Sequence, residues 1–191
     1  MFTPVLTRLD QGEALRYMGC PPDPPPPETQ ALLDRGEAAV LAAAAPRCAY
    51  LVLPLDRGTI PGCVFQPQGA DIAALLADCG QVILLCATLG AGIDRLLLQA
   101  EARDMALALA MDALASAAVE SVCDSLEAHL TAQWAAKGLF LTDRFSPGYG
   151  DMPLSQQSAL CAALDAQRQI GLTVSSAGLL IPRKSVTALI G

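Results

Sequence analysis

The chain has 191 residues, 53% of them hydrophobic and 16% charged, with 12 Lys and Arg against 19 Asp and Glu for a formal net charge of −7. That length suits one domain with volume for a sizeable core. The acidic balance excludes a nucleic-acid partner, because such binding rests on Lys and Arg clusters that neutralise phosphates.

Arg8, Asp10 and Glu13 interrupt the apolar run that an export signal needs, so a cytoplasmic protein is expected. The seven cysteines, at 20, 48, 63, 79, 86, 123 and 161, form no CxxC pair and have no histidine at metal-ligand spacing. They read as reduced, buried small hydrophobes, and no metal site is expected.

Residues 10–18 carry a short helical pattern. The following CPPDPPPP, residues 20–27, must be extended, since proline lacks an amide donor and disfavours helix in the residue before it. Roughly the first 27 residues thus read as a helical extension and a stiff surface spacer on a single domain, 1–191. Residues 28–45 predict an alanine-rich helix closed by Pro46, and 49–53 a continuous apolar strand. A short strand over 59–65 and a helix over 71–78, stopped by Gly80, come next.

Residues 81–89, QVILLCATL, are the strongest strand in the chain and are expected to be central. They lead into Gly90 and Gly92 and a helix from Ile93, a layout similar to a nucleotide-binding loop. The third glycine and the downstream acid of a dinucleotide fingerprint are missing, so a tight turn is the better reading. Residues 104–136 predict one long helix or two in succession, 154–169 another helix, and 172–174 and 186–190 closing strands. The stretch 105–123 is long enough to cross a bilayer, but it holds Asp112 and Glu120 and is built on alanine, so a buried helix and no membrane association are expected. Helices and strands mix without regular βαβ units, which favours α+β over a doubly wound sheet.

Within 105–123, Asp112, Ser116 and Glu120 recur every four residues and form one line on a helix. The rest of that helix is apolar, so it is expected to be buried nearly all round, and buried carboxylates require a cation. Either a Lys or Arg of the protein or a positive group of a ligand satisfies that need. Arg144, which opens RFSPGYGD, presents a fork able to hold a carboxylate in two hydrogen bonds. Pro147 and Gly148 make a turn that lets a ligand approach the backbone, and Tyr149 adds a ring with a hydroxyl tip. An arginine, a bare turn and a line of acids together describe a pocket for an amino-acid-like zwitterion. His129, near Glu127 on a polar helix face, reads as a solvated bystander.

The segments RFSPGYGDMPLSQQ and IGLTVSSAGLLIPRKSV, with ATLGAGID and MDALASAAVESVCD before them, resemble the reactivation domain of cobalamin-dependent methionine synthase in a short free-standing form. The resemblance covers most of the chain after about Leu89 and is looser earlier, through EALRYMG. It implies a C-shaped α+β fold around a twisted, mainly antiparallel sheet with flanking helices, and S-adenosylmethionine bound in a shallow groove. By that resemblance Arg144 holds the methionyl carboxylate, Glu120 faces the ligand's positive end, and Ser146, Pro147 and Gly148 line the groove, while Asp112, from the same line of acids, is expected as a further ligand-binding residue. Tyr149 then reaches towards the face of a bound corrinoid, and Arg183 and Lys184 form part of a docking surface.

The implied chemistry is reductive methylation, in which an electron reduces inactive cob(II)alamin and S-adenosylmethionine methylates the product. Cobalamin would be carried by a partner, a methionine synthase or other corrinoid protein lacking this domain, with flavodoxin or ferredoxin as reductant. The family's GYPACP is GYGDMP here, and Leu189, Ile190 and Gly191 stand where the family has aromatic residues. A small-molecule methyltransferase with Asp151 as its acid or base, and a docking module without ligand, are the alternatives.

Overall fold

A computed structural model describes residues 2–20 and 24–191. The first helix, α1 (Gln11–Tyr17), starts where the Asp10 carboxylate accepts the Glu13 amide at 2.9 Å, an N-cap that satisfies one of the free donors of the first turn. Residues 21–23 of the expected proline spacer lie outside the described residues. Pro27, at the first position of α2 (Pro27–Ala43), gives up no hydrogen bond there, since that amide has no partner inside the helix.

After β1 (Arg47–Pro54) the chain makes turns rather than the expected strand over 59–65. Only Asp56 and Thr59 pair with each other, and Ile60 and Phe65 plug the core from a loop. The Gln66 side chain holds that loop, accepting the Ile60 amide at 2.9 Å and donating to the carbonyls of Ile60 and Cys63. Beyond it lie α3 (Ala70–Leu75), β2 (Gln81–Thr88), α4 (Ala91–Glu101) and α5 (Met105–Ala135).

Residues 154–169 are not one helix. A single 3-10 turn over Leu154–Gln156 runs into α6 (Gln157–Ala163), and Asp165, at φ 48°, breaks the path before α7 (Ala166–Ile170). The chain ends with a short hairpin of β3 (Thr173–Val174) and β4 (Leu180–Ile181), then β5 (Ser185–Ile190).

The main sheet is antiparallel in the order β1-β2-β5, with Leu51 opposite Leu84 and Leu84 opposite Leu189. As the apolar run predicts, β2 is central and buried on both faces. Ile83 and Leu85 face Leu126 and Leu130 of α5, whereas Leu84 and Cys86 face Leu160 and Ile170 of α6 and α7. Helices therefore cover the sheet on both sides, an α+β arrangement.

One long helix, α5, passes beneath the sheet and packs against α1, α2 and α4. It is long and apolar enough to cross a membrane, yet Leu114, Leu126 and Leu130 are completely covered by the protein itself. Each such leucine contributes about 1.5–3 kcal/mol by leaving water. Gly36 of α2 allows the closest approach, since a Cβ there would meet Leu114 Cδ1 at 2.9 Å.

Gly90, at φ 82°, and Gly92 serve packing. A side chain on Gly92 would collide with the Ala43 carbonyl at the end of α2, so the turn is fixed by close helix contact rather than by a phosphate site. Cys86, Cys123 and Cys161 are buried as expected, while the other four cysteines are only half-buried. Burial pushes the Cys86 and Cys123 thiols up to about 12, which keeps them unreactive.

Candidate ligand groove

Beyond α5 the chain returns along the free edge of β5. Phe145 and Leu189 exchange both backbone hydrogen bonds, at 2.9 and 2.8 Å, and the Thr142 amide donates to the Gly191 carbonyl at 3.0 Å. Side chains alternate along such an edge. With Phe145 packed among the residues beneath α6 and α7, Arg144 and Ser146 are turned to the opposite side, towards α5. This alternation brings Arg144 to Glu120 across 24 residues of sequence.

The turn that follows is closed by its own backbone. The Tyr149 amide donates to the Ser146 carbonyl at 3.1 Å and the Gly148 amide to the Met152 carbonyl at 2.9 Å. Gly148 has φ 92° and Gly150 φ 51°, conformations that side chains resist. Met152 is buried and anchors the turn, leaving Tyr149 70% exposed at its tip.

Asp151 reaches from this turn to α3, where its carboxylate accepts the amides of Ala70 and Asp71. Those two hydrogen bonds hold its carboxyl below the usual aspartate range. Asp151 is thus a helix cap supplied from 80 residues away, and the acid or base wanted by the methyltransferase alternative is already engaged.

The line Asp112, Ser116 and Glu120 does lie along one face of α5, but that face is not buried. Asp112 and Glu120 are 42% and 39% exposed, because the segments over 144–149 and 183–187 stand beside it as groove walls instead of closing over it. Protein cations meet both acids. Lys184 Nζ lies 2.9 Å from Asp112 Oδ1 and donates to Ser116 Oγ at 2.8 Å, and its side chain is only 12% exposed. Arg183, more open, lies 3.7 Å from Asp112 and 3.8 Å from Glu101, and its amide donates to the Asp94 carboxylate. Of the two expected docking residues, Arg183 alone presents its charged head to solvent.

Arg144 is engaged more heavily than its sequence context suggests. Its Nη2 donates to Glu120 Oε2 at 3.1 Å, and Nη1 lies 2.9 Å from Asp124 Oδ1 and 3.2 Å from Glu127 Oε2. Nη1 is buried and makes no well-aligned hydrogen bond, so its attraction to those two acids is one of charge more than of direction. Asp124 and Glu127 were not among the expected site residues, although they continue the Glu120 face at steps of four and three along α5. Burial raises the Glu120 carboxyl above its usual range, against the opposing pull of Arg144.

Two connected hollows result. One, of about 370 Å3, runs between Tyr17, Ser116, Ser146, Gln157, Lys184 and Thr187. The other, of about 620 Å3, lies around Arg144 and its three acids and includes Asp143. Glu120, Ser146, Tyr149 and Val186 border both, so they form one groove with a wide acidic end. Tyr17, from the N-terminal helix, is a groove residue that lies in the EALRYMG segment but was not among the expected site residues. Pro147 lines the smaller hollow and Gly148 shapes the turn, while Asp112 stands behind Lys184. His129 sits against the Phe2 ring, with centroids 5.0 Å apart, away from the groove.

The architecture is that of an α+β protein with an antiparallel sheet between helices and an open groove along its longest helix. No family model matches the sequence, and no curated protein matches it either. Among solved structures the chain is similar to the crystal structure of the MetH reactivation domain bound to AdoHcy, with a TM-score of 0.64 at 15% identity. The match takes in 93% of this chain and 65% of that one, and at this identity it establishes a shared fold.

Proposed function

We propose that the protein binds S-adenosylmethionine in this groove and supports reductive methylation of cob(II)alamin on a separate protein in methionine biosynthesis. The partner would be a cytoplasmic cobalamin-dependent methionine synthase, or a related corrinoid protein, that lacks such a domain. The observation that carries the reading is the groove itself, which joins Arg144 and Glu120 to an open turn on the fold of a domain solved with AdoHcy.

Cobalt chemistry would come from the partner's corrinoid, an electron from flavodoxin or ferredoxin, and the methyl group of the ligand's sulfonium. This chain supplies binding and orientation. For Arg144 to take the ligand carboxylate, Nη1 must part from Asp124 and Glu127, and the freed acids then face the ligand's ammonium and sulfonium. Ser146, Pro147 and Gly148 give the ligand a backbone wall, exposed Tyr149 meets the corrinoid, and Arg183 with Lys184 behind it contributes to docking.

The test is turnover recovered by a cob(II)alamin-loaded methionine synthase stripped of its own reactivation domain. Recovery that needs this protein, a reductant and S-adenosylmethionine together supports the proposal, and recovery indifferent to this protein contradicts it. One observation favours a docking module without ligand, namely the engagement of Arg144 with three carboxylates. An Arg144→Ala variant that reactivates as well as the wild type would establish that second reading.

A further inference from the structure

The two outer edges of the main sheet are finished differently. Residues 142–145 run along the edge of β5, where Phe145 pairs with Leu189 and the Thr142 amide reaches the Gly191 carbonyl. Among the described residues nothing pairs with the outer edge of β1. A bare edge is a template for another strand, and proteins usually shorten, charge or cover it. β1 has eight residues, RCAYLVLP, with Arg47 as its only charge.

Backbone alternation fixes which groups that edge offers. The register of β1 with β2 continues to Leu55 opposite Gly80, and the Leu55 amide donates to the Gly80 carbonyl at 3.0 Å. Ala49, Leu51 and Leu53 share that phase and direct their backbone groups at β2, so Cys48, Tyr50 and Val52 direct theirs outward. Among the described residues those three amides have no backbone hydrogen-bond partner. The next outward positions on either side are Pro46 and Pro54, which have no amide to give. The free donors are thus confined to a stretch symmetric about Tyr50.

We infer that β1 pairs antiparallel with β1 of a second copy of this chain, about a two-fold axis at Tyr50, joining the two main sheets into one. Tyr50 then faces Tyr50, and Cys48 of each copy faces Val52 of the other, so every outward amide finds a carbonyl. Between these pairs Leu51, 38% exposed, meets Ala49 of the other copy on both sides of the axis, a large apolar side chain against a small one. The edge has room for the incoming strand, since a hollow of about 390 Å3 lies along it between Phe2, which packs on α5 through His129, and Gln169 of α7 on the opposite face. Each copy carries a net charge of −7, but residues 44–55 contain no acid, so the strand brings no like charge to the contact. The pairing also stops at two copies, because the edges left at either end of the joined sheet are those of β5, already lined by residues 142–145. Both ligand grooves lie at those far ends and stay open, and the inference does not depend on what they bind.

The experiment is sedimentation velocity of the full chain from micromolar to millimolar concentration, with amide hydrogen exchange followed by NMR at both ends of that range. The mass is expected to double across the range, as suits a small interface, and the Cys48, Tyr50 and Val52 amides to gain protection only in the dimer. The Ala49 and Leu51 amides, held by β2, are expected to be protected throughout. Tyr50→Pro removes the central donor without touching the β1-β2 ladder and is expected to keep the protein monomeric. Leu51→Lys, at an exposed position, is expected to raise the dissociation constant about tenfold or more, because the change enters the contact twice. A monomer at every concentration overturns the inference. So does a dimer in which the Tyr50 and Val52 amides stay unprotected, or protection of those amides that is equal at low and high concentration. These outcomes are read on the wild type and hold even if neither variant folds.

Discussion

Two charged clusters sit eight residues apart on the same face of α5, and they are built differently. At Asp112 the side-chain ion pairs balance, with Lys184 and Arg183 facing Asp112 and Glu101 while the Asp94 carboxylate is taken up by the Arg183 amide. At Glu120 a single guanidinium faces three carboxylates, with Asp143 on the same hollow. The first cluster ties the chain entering β5 to α5 through the Lys184 side chain, while the Lys184 carbonyl accepts the Leu89 amide just beyond β2. The second leaves negative charge in excess beside the larger hollow. A balanced pair needs nothing more, whereas surplus acid around one half-buried arginine has capacity for a ligand's positive groups.

The sharpest way to break this contrast is to remove the cation from the balanced end. Lys184→Met keeps most of the packed stem but leaves Asp112 with a distant Arg183, and a loss of about 1–2 kcal/mol of stability is expected by urea denaturation. An unchanged midpoint would show that this cluster is as dispensable as a surface pair.

A smaller effect is expected at Asp151, which holds the turn against α3. Its carboxyl is lowered in the folded protein, so its contribution is present above the ordinary aspartate range and is lost as pH falls through the lowered value. Asp151→Asn is therefore expected to melt below the wild type at neutral pH, with the gap closing in acid. A gap that persists at low pH would assign the effect to something other than the charge.

Smallest of all is the expected cost of Glu120→Gln. Glu120 is raised, so its favourable contribution exists below the ordinary glutamate range and is lost as pH rises through the raised value. At neutral pH its charge opposes folding, and removing it where Asp124 and Glu127 still face Arg144 should leave stability equal or slightly higher. Denaturation at neutral and acid pH checks this, and a clear loss at neutral pH would show that the cluster is not oversupplied with acid.

These clusters also show what the sequence made legible. Asp112, Ser116 and Glu120 repeat at the helical period, and β2 announces itself as an apolar run, so both were readable in place. Their exposure was not, because whether a polar line on an apolar helix is buried depends on segments 24 to 72 residues further on that stand beside it instead of covering it. Asp124 and Glu127 carried the same periodic signal just beyond the apolar stretch, where ordinary surface acids are also expected. The break at Asp165 was hidden because a single left-handed residue leaves the helical pattern of 154–169 nearly intact. Tyr17 and the Asp151 cap arise from contacts between distant elements, for which local pattern has no marker.

The groove's capacity for S-adenosylmethionine is tested most directly by calorimetric titration of that compound into the wild type and Arg144→Ala. Binding by the wild type that weakens by ~1.5–3 kcal/mol in the variant, the range for a charged hydrogen bond, is the predicted result. No heat of binding in the folded wild type, or equal affinity in both proteins, would contradict the account.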